Sequence, residues 1–163
     1  MKLEVGQTAP DFTYIDRDGV EKNFHSLKGN KIVFFFPKAF TPGCTQESCS
    51  IRDNYDDLKE SGVTEVFGIS TDSKEKLADF AKEYNLNFIL VEDKSKKISQ
   101  DYGVLMKAVV VNVAKRYTFV VDEENKISKV TNIGMAGGNT KYGLKNYGKE
   151  LVELNFQNLG MEM

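Results

Sequence analysis

The sequence has little of the residues that bind structural metals or crosslink small domains. Its 163 residues include two cysteines, one histidine, three prolines and no tryptophan. Because a structural zinc site uses four ligands, Cys44, Cys49 and the lone His25 do not suffice for one. We expect no metal and no other cofactor. A chain of this length buries one substantial core without such help, so we expect a single domain over residues 1–163.

Two further absences exclude classes of partner. The chain has 22 basic and 24 acidic residues and a net charge of −2, so no charge excess favours nucleic acid or an anionic membrane surface. No stretch approaches the roughly 18 apolar residues of a membrane span. The amino-terminal stretch MKLEVGQTAPDF also lacks an apolar signal core. We therefore expect a cytoplasmic protein that binds neither nucleic acid nor membranes.

The two cysteines lie five positions apart, in the stretch FTPGCTQESC. The cytoplasm keeps thiols reduced, so a close pair of cysteines is more typical of redox chemistry than of a structural disulfide. The alternative is that Cys44 and Cys49 are ordinary small core residues. The local sequence has to decide between the two interpretations.

Strand and helix patterns alternate along the chain and predict an α/β fold. The turn signal Asp18-Gly19 between two strand-like runs predicts an amino-terminal β-hairpin. The apolar run Lys31 to Phe36 predicts a strand covered on both faces. Together these patterns predict a central mixed β-sheet flanked by helices on both faces. The other predicted elements are helices at 42–61, 74–85, 97–102 and within 145–159, strands at 65–70 and 88–91, and a hairpin over 117–133.

The segment around Cys44 has the pattern of a helix start. Thr41 is a good N-cap, Pro42 suits the first helical position, and Cys44 then falls in the first turn. The helix dipole and the free N–H groups there favour thiolate over thiol, which makes the cysteine nucleophilic at neutral pH. Gly43 has no side chain, so a small substrate can approach closely. The alternative is an inert cysteine that starts a helix and packs inward.

The spacing of the cysteines constrains how they can react with each other. Five residues along an ideal helix separate the two Cα atoms by roughly 8 to 9 Å, beyond the ~7 Å limit for a disulfide. A bond between Cys44 and Cys49 therefore requires the first helical turns to unwind. This distinguishes the pair from the Cys-x-x-Cys of a dithiol reductase, whose shorter spacing allows the disulfide to form without unwinding of the helix.

The stretch FFFPKAFTPGCTQESCSIRD resembles the active-site segment of peroxiredoxins. The matching pattern is Pro-x-x-x-Thr-x-x-Cys, at Pro37, Thr41 and Cys44. The resemblance is strongest to the bacterioferritin comigratory protein, or Q-type, subfamily, whose motif continues with residues matched by Thr45, Glu47 and Cys49. It extends over nearly the whole chain and implies a thioredoxin-like fold with an amino-terminal extension.

The resemblance also implies roles for individual residues. Cys44 corresponds to the peroxidatic cysteine, which attacks a hydroperoxide and becomes a sulfenic acid, and Cys49 to a resolving cysteine. Thr41 would hydrogen-bond the peroxide, and Pro37 would shield the sulfenic acid. Arg116, in KRYTF, matches an arginine that stabilises the thiolate and the transition state, a role that suits a permanently charged guanidinium.

Several points stay open from the sequence. Glu47 either pairs with Arg116 and orients it, or is an exposed glutamate that complements the helix dipole. Cys49 either resolves the sulfenic acid, with a thioredoxin-type protein as reductant, or is a packed residue in a one-cysteine peroxidase. A third alternative is a binding or holdase protein on a thioredoxin-like scaffold. We expect a monomer, with a dimer as the alternative.

Overall fold

The computed structural model of the protein describes residues 3–107, 112–114, 116–132, 148–149 and 151–152. Nine strands occur within these residues: β1 Thr13–Ile15, β2 Glu21–Asn23, β3 Asn30–Phe35, β4 Val63–Ser70, β5 Ile89–Glu92, β6 Leu105–Lys107, β7 Asn112–Ala114, β8 Tyr117–Val121 and β9 Ile127–Asn132. The α-helices described are α1 Pro42–Asp53, α2 Tyr55–Glu60, α3 Lys74–Tyr84 and α4 Lys97–Asp101, and a 3-10 helix spans Phe24–Ser26.

A mixed sheet of five strands forms the centre of the molecule, in the order β5-β4-β3-β8-β9. β3, β4 and β5 are parallel to one another, whereas β8 runs antiparallel to both β3 and β9. β1 and β2 pair separately as an antiparallel hairpin before the sheet. The predicted central mixed sheet and amino-terminal hairpin are therefore confirmed.

Strand β3 is buried on both faces, as its apolar sequence predicts. Successive side chains of a strand point to opposite faces. Accordingly, Ile32 and Phe34 belong to one core cluster and Val33 and Phe35 to another. A strand in this central position places the segment that follows it at one edge of the sheet, directly before α1.

The two faces of the sheet are covered differently. Buried residues of α1, α2 and α3 pack with Ile32 and Phe34 on one face. On the other face the hairpin, the 3-10 helix and the region of α4 contribute Phe12, Phe24 and Tyr102. The helices predicted on both faces are present, but the amino-terminal extension supplies much of the second layer.

The region from Thr41 to Ser61 contains two helices rather than the predicted single helix. The backbone leaves helical geometry at Asn54, where φ is −106° and ψ is 10°. The Asn54 side chain donates a hydrogen bond to the carbonyl of Ser50 at 2.8 Å. Asparagine competes in this way with the helical backbone pattern, which explains why the helix ends and a second one begins.

Other predicted bounds agree with the structure to within a few residues. The helix α3 begins after Ser73, whose hydroxyl accepts a hydrogen bond from the N–H of Lys76 at 3.2 Å. Of the helix predicted within residues 145–159, only 148–149 and 151–152 are described, and these are helical. The remainder of that prediction lies outside the described residues. No helix in the described ranges has the length and apolar character needed to span a membrane.

Candidate active site

Cys44 is the third residue of α1 and is completely buried. Thr41 has the extended backbone of an N-cap, with φ −77° and ψ 151°, and its carbonyl accepts the first helical hydrogen bond from Thr45 at 2.9 Å. Pro42 follows as the first helical residue, as predicted. The Cys44 thiol thus lies where unpaired backbone N–H groups and the helix dipole favour a negative charge.

Arg116 contacts Cys44 although 72 positions separate them in the chain. It directly precedes β8, which runs antiparallel to β3, with Thr118 opposite Phe34. The start of β8 therefore meets the segment that leads from β3 to Cys44. The Nη1 atom of Arg116 lies 3.4 Å from the Sγ atom of Cys44, and Arg116 is only 4% exposed.

The same Arg116 nitrogen also binds Glu47. Nη1 donates a hydrogen bond to Oε1 of Glu47 at 3.0 Å, and the two side chains are 3% and 0% exposed. Glu47 lies three residues after Cys44, so both side chains occupy the same side of α1. The alternative of an exposed glutamate at this position is wrong.

Burial determines the charge state of this ion pair. Desolvation raises the pKa of Glu47 to about 7, although the Arg116 guanidinium opposes the shift. Its second oxygen, Oε2, has no hydrogen-bond partner in the described part of the chain. Burial alone would lower the pKa of Arg116, but the negative charges of Glu47 and Cys44 outweigh it and raise that pKa. The guanidinium therefore keeps its charge while it serves two acidic groups.

Thr41 caps the helix through its backbone rather than its side chain. Its hydroxyl donates a hydrogen bond to the carbonyl of Lys38 at 2.8 Å, across the turn that precedes α1. Pro37 and Gly43 are both partly exposed, on either side of this turn. The predicted site residues Pro37, Thr41, Gly43 and Cys44 thus lie within eight consecutive positions, which lead from the connection after β3 into the first turn of α1.

Cys49 lies in the same uninterrupted helix and is partly exposed. Burial raises the pKa of its thiol, and nearby Asp53 acts in the same direction while Arg52 acts against it. Both cysteines are free thiols. Because α1 is intact between them, they cannot form a disulfide in this conformation.

Asp72 supports the site and was not recognised from the sequence. One of its carboxylate oxygens accepts hydrogen bonds from the N–H of Ala39 at 2.7 Å and from the hydroxyl of Ser70 at 2.8 Å. From local sequence, this region shows only a helix start. The available signal was topological: carboxyl ends of adjacent parallel strands meet at one edge, so the residues after β4 lie near those after β3.

Outside this site, the described residues form a surface cavity but no candidate metal-binding cluster. No group of three potential metal ligands occurs in the described ranges. A surface cavity of about 660 Å³ lies between the hairpin and α4, and its lining includes Asp11, Thr13, Glu92 and Lys97 but none of the predicted site residues. This depression is therefore separate from the buried thiol.

Comparison with known proteins identifies the family. The model of the AhpC/TSA family matches residues 5–130. Peroxiredoxin Bcp of Escherichia coli is 40% identical over 133 residues, which cover 78% of this chain and 85% of the relative. The chloroplastic peroxiredoxin Q of Sedum lineare is 37% identical over 132 residues, 80% of this chain and 70% of the relative. The chain belongs to the AhpC/TSA family.

A solved structure supports the same assignment. The crystal structure of peroxidoxin BcpB from Mycobacterium tuberculosis is similar with a TM-score of 0.79 at 26% identity, over 95% of this chain and 97% of that one. The predicted thioredoxin-like α/β fold is confirmed. Within the family, the chain is a peroxiredoxin of the Bcp and peroxiredoxin Q type, and hence an enzyme that acts as a thiol peroxidase.

Proposed function

We propose that the protein reduces hydrogen peroxide and alkyl hydroperoxides at Cys44 and resolves the product as a Cys44–Cys49 disulfide. The observation that carries the proposal is the 3.4 Å contact between Nη1 of Arg116 and Sγ of Cys44. A thiolate paired with a permanent cation at a helix start is the nucleophile that peroxide reduction needs.

The first step transfers one oxygen to sulfur. The Cys44 thiolate attacks the terminal oxygen of ROOH, the O–O bond breaks, and after proton transfer the products are Cys44–SOH and ROH. The oxygen that leaves develops negative charge in the transition state. Arg116 stabilises both this charge and the thiolate, and Glu47 positions Arg116 through the 3.0 Å hydrogen bond.

Three other residues shape this step. Thr41 presents its hydroxyl to the peroxide after exchanging the hydrogen bond to Lys38 for one to the substrate. Pro37 shields the sulfenic acid from water. Gly43 leaves space for the peroxide beside the thiol. These roles follow the peroxiredoxin motif, and they are supported by the position of all three residues in one short segment that leads from β3 into the first turn of α1.

The second step consumes the sulfenic acid. The Cys49 thiol attacks the sulfur of Cys44–SOH, so that the S–S bond forms and water leaves. The spacing of roughly 8 to 9 Å between the Cα atoms in the helix requires the first turns of α1 to unwind for this reaction. A thioredoxin-type protein then reduces the disulfide by thiol–disulfide exchange.

The cysteine chemistry also bears on the compartment and the oligomeric state of the enzyme. We place the enzyme in the cytoplasm, where thiols are kept reduced and thioredoxin-type reductants are available. The enzyme acts as a monomer, because both cysteines belong to one helix of one chain. Residues 1–163 act as one domain, since both core clusters share the same central sheet.

The test is the intact mass of the reduced protein after one equivalent of hydrogen peroxide. Loss of two hydrogens without added oxygen is the expected result, because it reports a disulfide between the two cysteines. Gain of one oxygen would replace this cycle with that of a one-cysteine peroxidase. An unchanged mass would contradict Cys44 as the reactive thiol.

A Cys49→Ser variant provides the matched control. It should gain one oxygen where the parent loses two hydrogens, and its turnover with a thioredoxin-type reductant should fall to a small fraction of the parent rate. Turnover equal to that of the parent would show that Cys49 is a packing residue.

A further inference from the structure

Phe40, directly before the N-cap Thr41, has a backbone conformation that large side chains rarely adopt. Its φ is +66°, in the left-handed region. For a bulky residue this conformation is costly, since Cβ crowds the neighbouring carbonyl oxygen. Phe40 is also 42% exposed, which is unusual for a phenylalanine. The protein therefore retains an unfavourable conformation four residues before its reactive cysteine.

The turn that contains Phe40 is held by contacts on both sides. The Thr41 hydroxyl bonds the Lys38 carbonyl across it, and the Ala39 N–H bonds Asp72 beyond β4. Positive φ at the third position of such a turn is normally assigned to glycine or asparagine. A phenylalanine there stores strain that persists only because the surroundings hold the turn in place.

The phenyl ring of Phe40 supplies the opposing contacts. Its ring centroid lies 5.1 Å from that of Phe80 in an edge-to-face arrangement and 6.2 Å from that of Tyr84. Both partners belong to α3, so the ring attaches the turn to a helix outside the segment that has to unwind. One residue thus contributes a favourable contact and an unfavourable backbone conformation to the same closed state.

We propose that Phe40 is a positioning residue that sets how readily the first turn of α1 opens. Aromatic contacts with Phe80 and Tyr84 hold the closed form, in which Cys44 meets Arg116. The left-handed strain favours the open form, in which φ returns to negative values and Cys44 can reach Cys49. The inference deepens the proposed function and rests on it for the chemical consequence.

The two forms lead to different products of the sulfenic acid. In the open form, Cys44–SOH and the Cys49 thiol give the disulfide and water. In the closed form, a second peroxide oxidises Cys44–SOH to the sulfinic acid Cys44–SO2H, with ROH released. The ratio of disulfide to sulfinic acid at excess peroxide therefore reports how often the turn opens before the second peroxide reacts.

Two substitutions of Phe40 separate the effect of the backbone strain from that of the aromatic contacts. Phe40→Ala removes the ring but keeps the left-handed cost, whereas Phe40→Gly removes both. We expect the alanine variant to open more often than the glycine variant by about 3- to 10-fold, since the steric relief exceeds the extra chain entropy of glycine. If the alanine variant does not fold, Phe40→Ser takes its place, because serine also lacks the ring and keeps the left-handed cost.

The primary readout is amide hydrogen exchange of residues 43–47 in the reduced variants, which needs no reaction of Cys49. The expected result is faster exchange in Phe40→Ala than in Phe40→Gly. The second readout is the ratio of disulfide to sulfinic acid after excess hydrogen peroxide, which should be higher in Phe40→Ala. Equal exchange in the two variants, or faster exchange in Phe40→Gly, would overturn the proposal.

The outcomes distinguish this inference from the proposed function. If exchange differs as expected but the parent gains oxygen instead of forming a disulfide, Phe40 controls opening and the role of Cys49 is wrong. Lys96→Gly is the matched control, because Lys96 also has positive φ, +64°, but is the N-cap of α4. Relief of strain at Lys96 should leave amide exchange at residues 43–47 and the ratio of disulfide to sulfinic acid unchanged. A change in either would mean that the substitutions at Phe40 act through global stability, which would contradict the proposal.

Discussion

At the scale of single residues, one guanidinium nitrogen serves two acidic groups. Nη1 of Arg116 lies 3.4 Å from the Cys44 sulfur and 3.0 Å from a Glu47 oxygen. A lysine in its place would keep the charge but lose the fixed donor directions of the guanidinium, which let one nitrogen contact both partners. We therefore expect the geometry of the donor, as well as its charge, to set how well the thiolate and the leaving oxygen are stabilised.

The first prediction concerns this donor. Arg116→Lys should lower the second-order rate constant for hydrogen peroxide by about 100-fold, the loss typical of a misplaced transition-state donor. Stopped-flow measurement of the reduced variant tests it. The control is Arg17→Lys, which changes an arginine paired with Glu65 instead. A rate for Arg116→Lys equal to that of the parent would show that the geometry of the guanidinium is not needed.

The second prediction concerns the pH dependence of stability. The pKa of Glu47 rises from 4.5 to about 7 on folding because burial disfavours the charged carboxylate. The native state then binds more protons than the unfolded state between these values, so this group destabilises the protein progressively as pH rises through that window. Glu47→Gln, which cannot ionise, should remove this component.

Urea unfolding of the parent and of Glu47→Gln at about pH 5 and about pH 8 measures the effect. The parent should lose unfolding free energy relative to the variant between the two conditions. A difference between the two proteins that does not change with pH would mean that Glu47 titrates normally.

At the scale of elements, α1 has two ends with different attachments. Before Cys49 it is joined to the site, through Cys44, Glu47 and the turn at Phe40. After Cys49 it is fixed to the carboxyl-terminal residues: the Gly148 N–H donates to the Ser50 hydroxyl at 2.8 Å. A Cβ atom at position 148 would lie 2.3 Å from the Ser50 carbonyl oxygen, so the backbones are in close contact. The second half of α1 therefore has an attachment that does not depend on the site.

The third prediction follows from this asymmetry. In the oxidised protein, amide exchange should accelerate strongly over residues 41–49 and remain slow for Ile51, which is completely buried. Exchange measured by mass spectrometry on reduced and oxidised samples tests it. If residues 41–49 exchange equally slowly in both samples, oxidation does not unwind the helix.

At the scale of the whole molecule, one buried lysine connects three separate parts. The ammonium group of Lys31, on β3, donates hydrogen bonds to the carbonyl of Phe24 at 2.8 Å and of Leu27 at 3.0 Å, and to the side chain of Asn125 between β8 and β9. It also lies 4.0 Å from the centroid of the Phe24 ring. Lys31 therefore joins the amino-terminal extension to the central sheet.

The fourth prediction concerns this connection. Lys31→Met keeps the apolar stem but leaves buried carbonyls without a donor, so the unfolding free energy should fall by about 2 to 4 kcal/mol. Urea denaturation provides the measurement. Lys28→Met, at an exposed lysine of the same region, should change it by less than about 0.5 kcal/mol. Equal effects of the two substitutions would contradict the role of Lys31.

Local signals were sufficient for most elements and for the position of Cys44. Asp18-Gly19 specifies a tight turn, and Thr41-Pro42 specifies a helix start, because each acts through its own backbone and immediate neighbours. The break at Asn54 was missed, since a side chain that competes for a carbonyl four residues back is difficult to distinguish from an ordinary helical asparagine.

The sequence alone was enough to predict the central strands, most of the helices, the helix start that bears Cys44 and, through the peroxiredoxin motif, the set of candidate site residues. The contact of Arg116 with Cys44 across 72 positions, the burial of Glu47 and the left-handed turn at Phe40 became evident only in the folded chain. The two groups of features differ in how far along the chain their causes act. Backbone propensities act over a few neighbouring residues, whereas burial, ion pairing and strain depend on which distant segments the sheet brings together.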